Sequence, residues 1–141
     1  MIVIDLPDLA ATEALAARLA TLLCQGDTIL LEGPLGAGKS ALARALLRAL
    51  TGDPALEVPS PTFTLVQSYD TPLGMVQHFD LWRLDGPDAL RELAWDEADT
   101  ALVEWPDRLG ELRPDDALEL KLSHAGGDAR RATLEGWEGR L

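Results

Sequence analysis

Apolar positions along the chain change period several times, and each change marks an element. "MIVIDL" reads as a short strand. Asp8 is placed to cap a helix in which Leu15, Leu19, Leu22 and Leu23 form one buried stripe at i, i+4, i+7 and i+8. "QGD" breaks that pattern. "TILLE", Thr28 to Glu32, is a continuous apolar run too short for a helix, as in a central strand covered on both faces. Helical spacing returns at Leu42, Leu46, Leu47 and Leu50 and ends at "TGDP", where Gly52 stands as C-cap and Pro54 lies beyond. "FTLVQSYD" and "MVQHFDLWRL" flank the turn "TPLG" and predict a β-hairpin. "GPDALRELAWDEA" begins with Pro87 in the first turn and predicts a short helix with Leu90, Leu93 and Ala94 on one face. "TALVEWP" is a buried-type strand stopped by Pro106, and the alternating Leu118, Leu120 and Leu122 lead through Gly126 and Gly127 into a second hairpin. The sum is an α/β fold: a mixed sheet with flanking helices and antiparallel hairpin additions.

Composition bounds what such a fold can do. The 141 residues suit one domain, residues 1–141, with a single core, and 47% hydrophobic against 26% charged residues is ordinary for a globular chain. With 12 Lys plus Arg against 24 Asp plus Glu, the formal charge is −12, which repels a polyphosphate backbone and argues against direct grip on nucleic acid. Cys24 is the single cysteine and falls within an apolar helical pattern, so it is expected in the core. There is no basic leader-type segment, and no apolar run approaches the roughly 20 residues of a membrane span. A soluble, cytoplasmic protein is expected.

Between the "TILLE" strand and the following helix lies "GPLGAGKS", which satisfies G-x-x-x-x-G-K-[ST] through Gly33, Gly38, Lys39 and Ser40. The pattern arises by accident in roughly 0.5% of chains this long, and its strand-to-helix setting lowers that further. The chain uses ten arginines and only two lysines, Lys39 and Lys121, so a lysine here is an exception. A compact ammonium suits the β- and γ-phosphates of a nucleotide better than a planar guanidinium. Glycines let the loop backbone wrap an anion at a helix N-terminus, making Gly33, Gly36, Ala37, Gly38, Lys39, Ser40 and Ala41 the nucleotide-binding segment. The Ser40 hydroxyl is placed to ligate Mg²⁺.

Such a site requires an acidic group at the end of a neighbouring strand. Asp80 ends "MVQHF" and Glu104 ends "TALV"; the second run is the cleaner core strand, and the two carboxylates are candidates to act together. The proline-stiffened "PSPTF" loop offers Ser60 and Thr62 either as γ-phosphate or Mg²⁺ contacts or as turn caps. His78 reads as a packed histidine rather than a base. Trp82 and Trp105 read as apolar packing, with stacking on a base or a partner as the alternative. Arg130 and Arg131 read either as a charged turn, the reading preferred here, or as nucleotide contacts. The N/T-K-x-D motif of guanine-specific GTPases is absent, and a small-molecule kinase needs a substrate pocket and lid for which this length leaves little room. A metabolite kinase and a nucleotide-sensing interaction module stay open as alternatives to an ATPase.

"GPLGAGKS", "SPTFTLVQSY", "HFDLWRL" and "LVEWP", in this order and at these separations, resemble the bacterial TsaE (YjeE) family over about Asp8 to Arg131. The resemblance implies a P-loop ATPase fold and weak ATP hydrolysis that matters when the protein docks on TsaD and TsaB, which install threonylcarbamoyl on adenosine in certain tRNAs. It implies ATP and Mg²⁺ as cofactors, and tRNA only as an indirect partner. At the matching positions it implies Lys39 and Ser40 as phosphate and metal ligands and Glu104 as a second metal ligand. Asp80 and Thr62 become groups needed for hydrolysis, and Trp105 a neighbour of the site. It also raises Arg130 to a nucleotide contact and places Asp8 or Thr12 near the base. Ser40 stands where Thr is expected and Trp82 where Tyr is usual; Ser retains the metal-ligating hydroxyl.

Overall fold

A computed structural model describes all residues except 62–64, 85, 91, 92, 94, 96 and 97, and the side chain of Pro87. The chain runs β1 (Ile2–Leu6), α1 (Leu9–Leu22), β2 (Thr28–Glu32), α2 (Lys39–Thr51), β3 (Val66–Thr71), β4 (Gly74–Asp80), α3 (Pro87–Leu90), β5 (Thr100–Glu104), a 3₁₀ segment (Pro106–Leu112), β6 (Leu118–His124) and β7 (Arg130–Glu135). The strands form one seven-stranded sheet in the order β1-β7-β6-β2-β5-β4-β3. Parallel pairing joins β6, β2, β5 and β4, while β3, β7 and β1 pair antiparallel at the edges. This is the expected mixed α/β sheet with hairpins added at both sides.

Side-chain alternation divides the core between the two faces of the sheet. Ile29, Leu31, Leu102 and Leu120 pack with Leu15 and Leu19 of α1 and Leu42 and Leu46 of α2. Leu30, Phe79, Ala101 and Val103 pack on the opposite face with Leu81, Leu90 and Leu109. Every residue of β5 is buried, as befits a strand covered on both sides. Because Val76 and Leu102 face α2, the same parity turns His78 and Asp80 of β4 and Glu104 of β5 toward that helix. Parallel register sets Asp80 directly beside Glu104. The C-terminal ends of the central strands therefore deliver two carboxylates to the N-terminus of α2.

Asp8 caps α1 as expected, accepting the Ala11 N–H at 2.9 Å. The helix stops at Leu22 and the backbone turns extended at Leu23, which puts Cys24 outside it. Cys24 is exposed rather than packed in the core: its amide donates to Asp27 Oδ2 at 2.7 Å, closing the turn that reverses the chain toward β2. The "TPLG" turn closes β3 onto β4 through the Thr71–Gly74 pair. Helix α3 covers Pro87–Leu90, and the expected position of Ala94 on its face lies outside the described residues. Pro106 ends β5 but also opens the 3₁₀ segment, whose Leu109 completes the second core layer.

Where β2 becomes the loop, Gly33 has φ +147°, and a Cβ on it would lie 2.5 Å from the Leu122 carbonyl of β6. Only hydrogen fits between that backbone and the adjacent strand. Gly33→Ala should therefore lower stability by about 2 kcal/mol or more, seen as a lower urea midpoint. Gly86→Ala, which meets nothing within 4 Å, should stay within about 0.5 kcal/mol of the parent.

Candidate functional site

The loop after β2 reaches α2 through Gly38, whose left-handed backbone (φ 102°) forms the N-cap without a side chain. Gly36, Gly38, Lys39, Ser40 and Ala41 line a cavity of about 280 Å³, closed on its other sides by Ser60, Asp80, Glu104 and Trp105. Gly33 and Ala37 stand behind this surface. Gly33 contributes its carbonyl to Lys39, while buried Ala37 donates its N–H to the Pro34 carbonyl at 3.2 Å and so braces the loop from within.

Lys39 is only 5% exposed. Its ammonium donates to the Gly33 and Pro34 carbonyls, the latter at 3.1 Å, and lies 3.9 Å from the centroid of the Trp105 ring. Burial holds Lys39 below the ordinary lysine value, with the nearby Glu104 and Asp80 carboxylates opposing the shift. Trp105 reaches this position through a left-handed backbone, φ 59° and ψ 55°, uncommon for a bulky residue. Its indole stacks against Trp82 with centroids 4.3 Å apart at 50°. Trp82 is 41% exposed, and its apolar packing is against Trp105.

Glu104 is 2% exposed and met at both oxygens. Ser40 Oγ donates to Oε1 at 3.1 Å, and His78 Nε2 lies 2.7 Å from Oε2. Buried His78 is indeed a packed histidine, yet it is packed against a site carboxylate, which its strand pattern alone did not indicate. The available signal was the i, i+2 spacing of His78 and Asp80, which fixes both on one face of β4. Asp80, 4% exposed, accepts the Trp82 N–H at Oδ1 (3.0 Å) and donates its own N–H to the Leu65 carbonyl (3.0 Å). Ser60 also lines the cavity, whereas Thr62 lies outside the described residues.

A second cavity, of about 200 Å³, adjoins the first across Gly38 and Ala41 and is lined by Leu9, Thr12, Asp128 and Arg130. Thr12 is therefore at this wall, while the Asp8 carboxylate is engaged in capping α1 one residue before Leu9. The arginine doublet opens β7 rather than lying in the turn before it. Arg130 donates Nη1 to the Gly127 and Ala129 carbonyls and Nη2 to the Gly36 carbonyl at 3.2 Å, tying the last hairpin to the glycine loop. Arg131 instead pairs with Asp5 of β1 at 2.9 Å.

The donor set of Ser40, Glu104 and Asp80 is hard oxygen, suited to Mg²⁺ rather than a soft metal. Among the described residues no group of three or more His, Cys, Asp or Glu side chains could hold a metal alone. A cation here requires ligands from a phosphate or water, the usual condition for Mg²⁺ in nucleotide sites. The residues fit the group on chemistry.

The lowered Lys39 value has a sign that stability measurements can read. Below that value folded and unfolded states are both protonated, and the folded protein bears the full cost of the buried charge. Between it and 10.5 the unfolded chain binds more protons, so stability rises with pH. The urea midpoint of the parent should accordingly rise relative to that of Lys39→Met as pH climbs from neutrality toward 10.5. A constant difference would contradict the burial effect.

Comparison with known proteins agrees with this geometry. The family model for the threonylcarbamoyl adenosine biosynthesis protein TsaE matches residues 6–132. A Synechocystis relative, named tRNA threonylcarbamoyladenosine biosynthesis protein TsaE, is 42% identical over 116 residues, 76% of this chain and 71% of its own. The Rickettsia felis protein of the same name is 36% identical over 79% of this chain, a match spanning 66% of the relative's length. The crystal structure of Bacillus subtilis YdiB superposes with a TM-score of 0.74 at 28% identity, covering 94% of this chain and 83% of that one. With a mixed sheet that ends in this loop and these carboxylates, and a family match over most of its length, the chain belongs to the TsaE family.

Proposed function

We propose that the chain is an Mg-ATP-binding ATPase that serves tRNA threonylcarbamoyladenosine modification by acting on a complex of the TsaD and TsaB proteins. The observation that carries this reading is the convergence of Lys39, Ser40, Asp80 and Glu104 on one phosphate-sized cavity at the N-terminus of α2. The names of the relatives in Synechocystis and Rickettsia felis support the place in tRNA modification.

In this reading the Gly36–Ala41 backbone would hold the phosphates, and Thr12 and Arg130 of the adjoining cavity, with Asp8 nearby, would hold the adenosine end. Lys39 exchanges two neutral carbonyl acceptors for charged phosphate oxygens, which makes its hydrogen bonds stronger. Ser40 and Glu104 would hold Mg²⁺, which when bound neutralises phosphate charge. Asp80 would orient the attacking water, and Trp105 covers Lys39. Thr62 is retained as a hydrolysis group from the family resemblance. A chain of formal charge −12 is unsuited to gripping tRNA itself, so its effect on tRNA passes through protein partners in the cytoplasm. Among the described residues no helix is long and apolar enough to cross a membrane.

Removing the ammonium in Lys39→Ala should weaken ATP binding about 10- to 100-fold by calorimetry, the loss expected for a charge-assisted contact. ATP turnover should be low for the isolated protein and rise clearly when TsaD and TsaB are added together. Equal turnover with and without them would rule out the partner-dependent reading.

A further inference from the structure

Glu104 is the residue the nucleotide reading relies on most, and its carboxylate rotates about a broad, two-fold torsion. Ser40 touches only one of its oxygens. The other is met by His78, which belongs to the neighbouring strand and is 1% exposed. In the parallel register His78 lies opposite Leu102, so its ring reaches along the sheet face to the residue two positions further on β5. Two contacts at the two oxygens fix the plane of the carboxylate, and the Ser40 side faces the cavity.

The proton between the ring and the carboxylate belongs to Nε2. A bare ring nitrogen against a carboxylate oxygen would set two lone pairs 2.7 Å apart. The opposite ring nitrogen, Nδ1, is buried with no hydrogen-bond partner among the described residues. Burying an unpartnered polar atom costs stability that an apolar residue of similar size would not incur. A histidine kept there only to fill space is therefore the poorer explanation.

We infer that His78 is a positioning residue: its Nε2–H holds Glu104 Oε2 so that Oε1, with the Ser40 hydroxyl, is presented to a nucleotide-bound Mg²⁺. This rests on the Mg-ATP reading above and adds to it a second residue, acting through Glu104, that sets metal affinity. Partners of this kind typically govern 10- to 100-fold of metal affinity.

The test compares His78→Leu, which removes the donor, with His78→Gln, whose side-chain amide restores a donor near the Nε2 position. ATP affinity is measured by calorimetry with Mg²⁺ and with EDTA, with circular dichroism verifying the fold. His78→Leu should lose about 10- to 100-fold of the Mg²⁺-dependent gain in affinity while binding ATP in EDTA within about twofold of the parent, and His78→Gln should recover most of the loss. A folded His78→Leu that keeps the full Mg²⁺-dependent gain overturns the inference and leaves the nucleotide reading standing. A folded His78→Gln no better than His78→Leu also overturns it. If the parent itself gains nothing from Mg²⁺, the metal reading fails and the inference falls with it.

Discussion

A carboxylate that is 2% exposed is tolerated only when its charge is answered at close range, and that requirement at Glu104 organises much of this molecule. The answer comes from two separate elements. Ser40 arrives on α2, His78 on β4, and the Lys39 ammonium stands near enough to be biased by the same negative charge. Each is positioned by the sheet order, which sets β5 between the strand leading to the glycine loop and the strand carrying His78 and Asp80. Any rearrangement of those three strands would leave a buried charge without its partners, so the topology and the electrostatics hold each other in place.

The same buried centre is covered by aromatic side chains. Trp105 lies over Lys39 and Trp82 over Trp105, although Trp82 itself faces solvent. The left-handed backbone at Trp105 is the local cost of turning an indole back across the cavity directly after a strand. The 3₁₀ segment beginning at Pro106 secures that turn by anchoring Leu109 in the second core layer. One short stretch, from Glu104 to Leu109, thus supplies a charge, a cover and an anchor.

Local patterns in the sequence were sufficient for most of the elements, because strands such as "TALVE" and the alternating Leu118, Leu120 and Leu122 owe their period to burial that repeats residue by residue. They were also sufficient to place the glycine loop between β2 and α2 and the two carboxylates at strand ends. What escaped depended on relations between distant segments. His78 could be assigned to one face with Asp80, but only the parallel register with β5 reveals which carboxylate it meets. Cys24 fell within an apolar period that the helix abandons at Leu22, and Asp27 captures its amide. The reversal at Gly126 and Gly127 was legible, but the reach of Arg130 from the start of β7 across to Gly36 is a relation between distant segments.

The pairing of β1 with β7 has a further meaning for how the molecule is made. Ile2 sits opposite Leu134, so the first strand of the sheet waits for the last. A chain emerging from its N-terminus holds Ile2 and Val3 without their sheet partners until Thr133 and Leu134 have been synthesised. The entropic cost of closing so long a loop grows only slowly with its length. The strand that completes this closure is also the one whose Arg130 touches the glycine loop. Completion of the sheet edge and bracing of the loop therefore depend on the same strand, and a chain without β7 lacks both together.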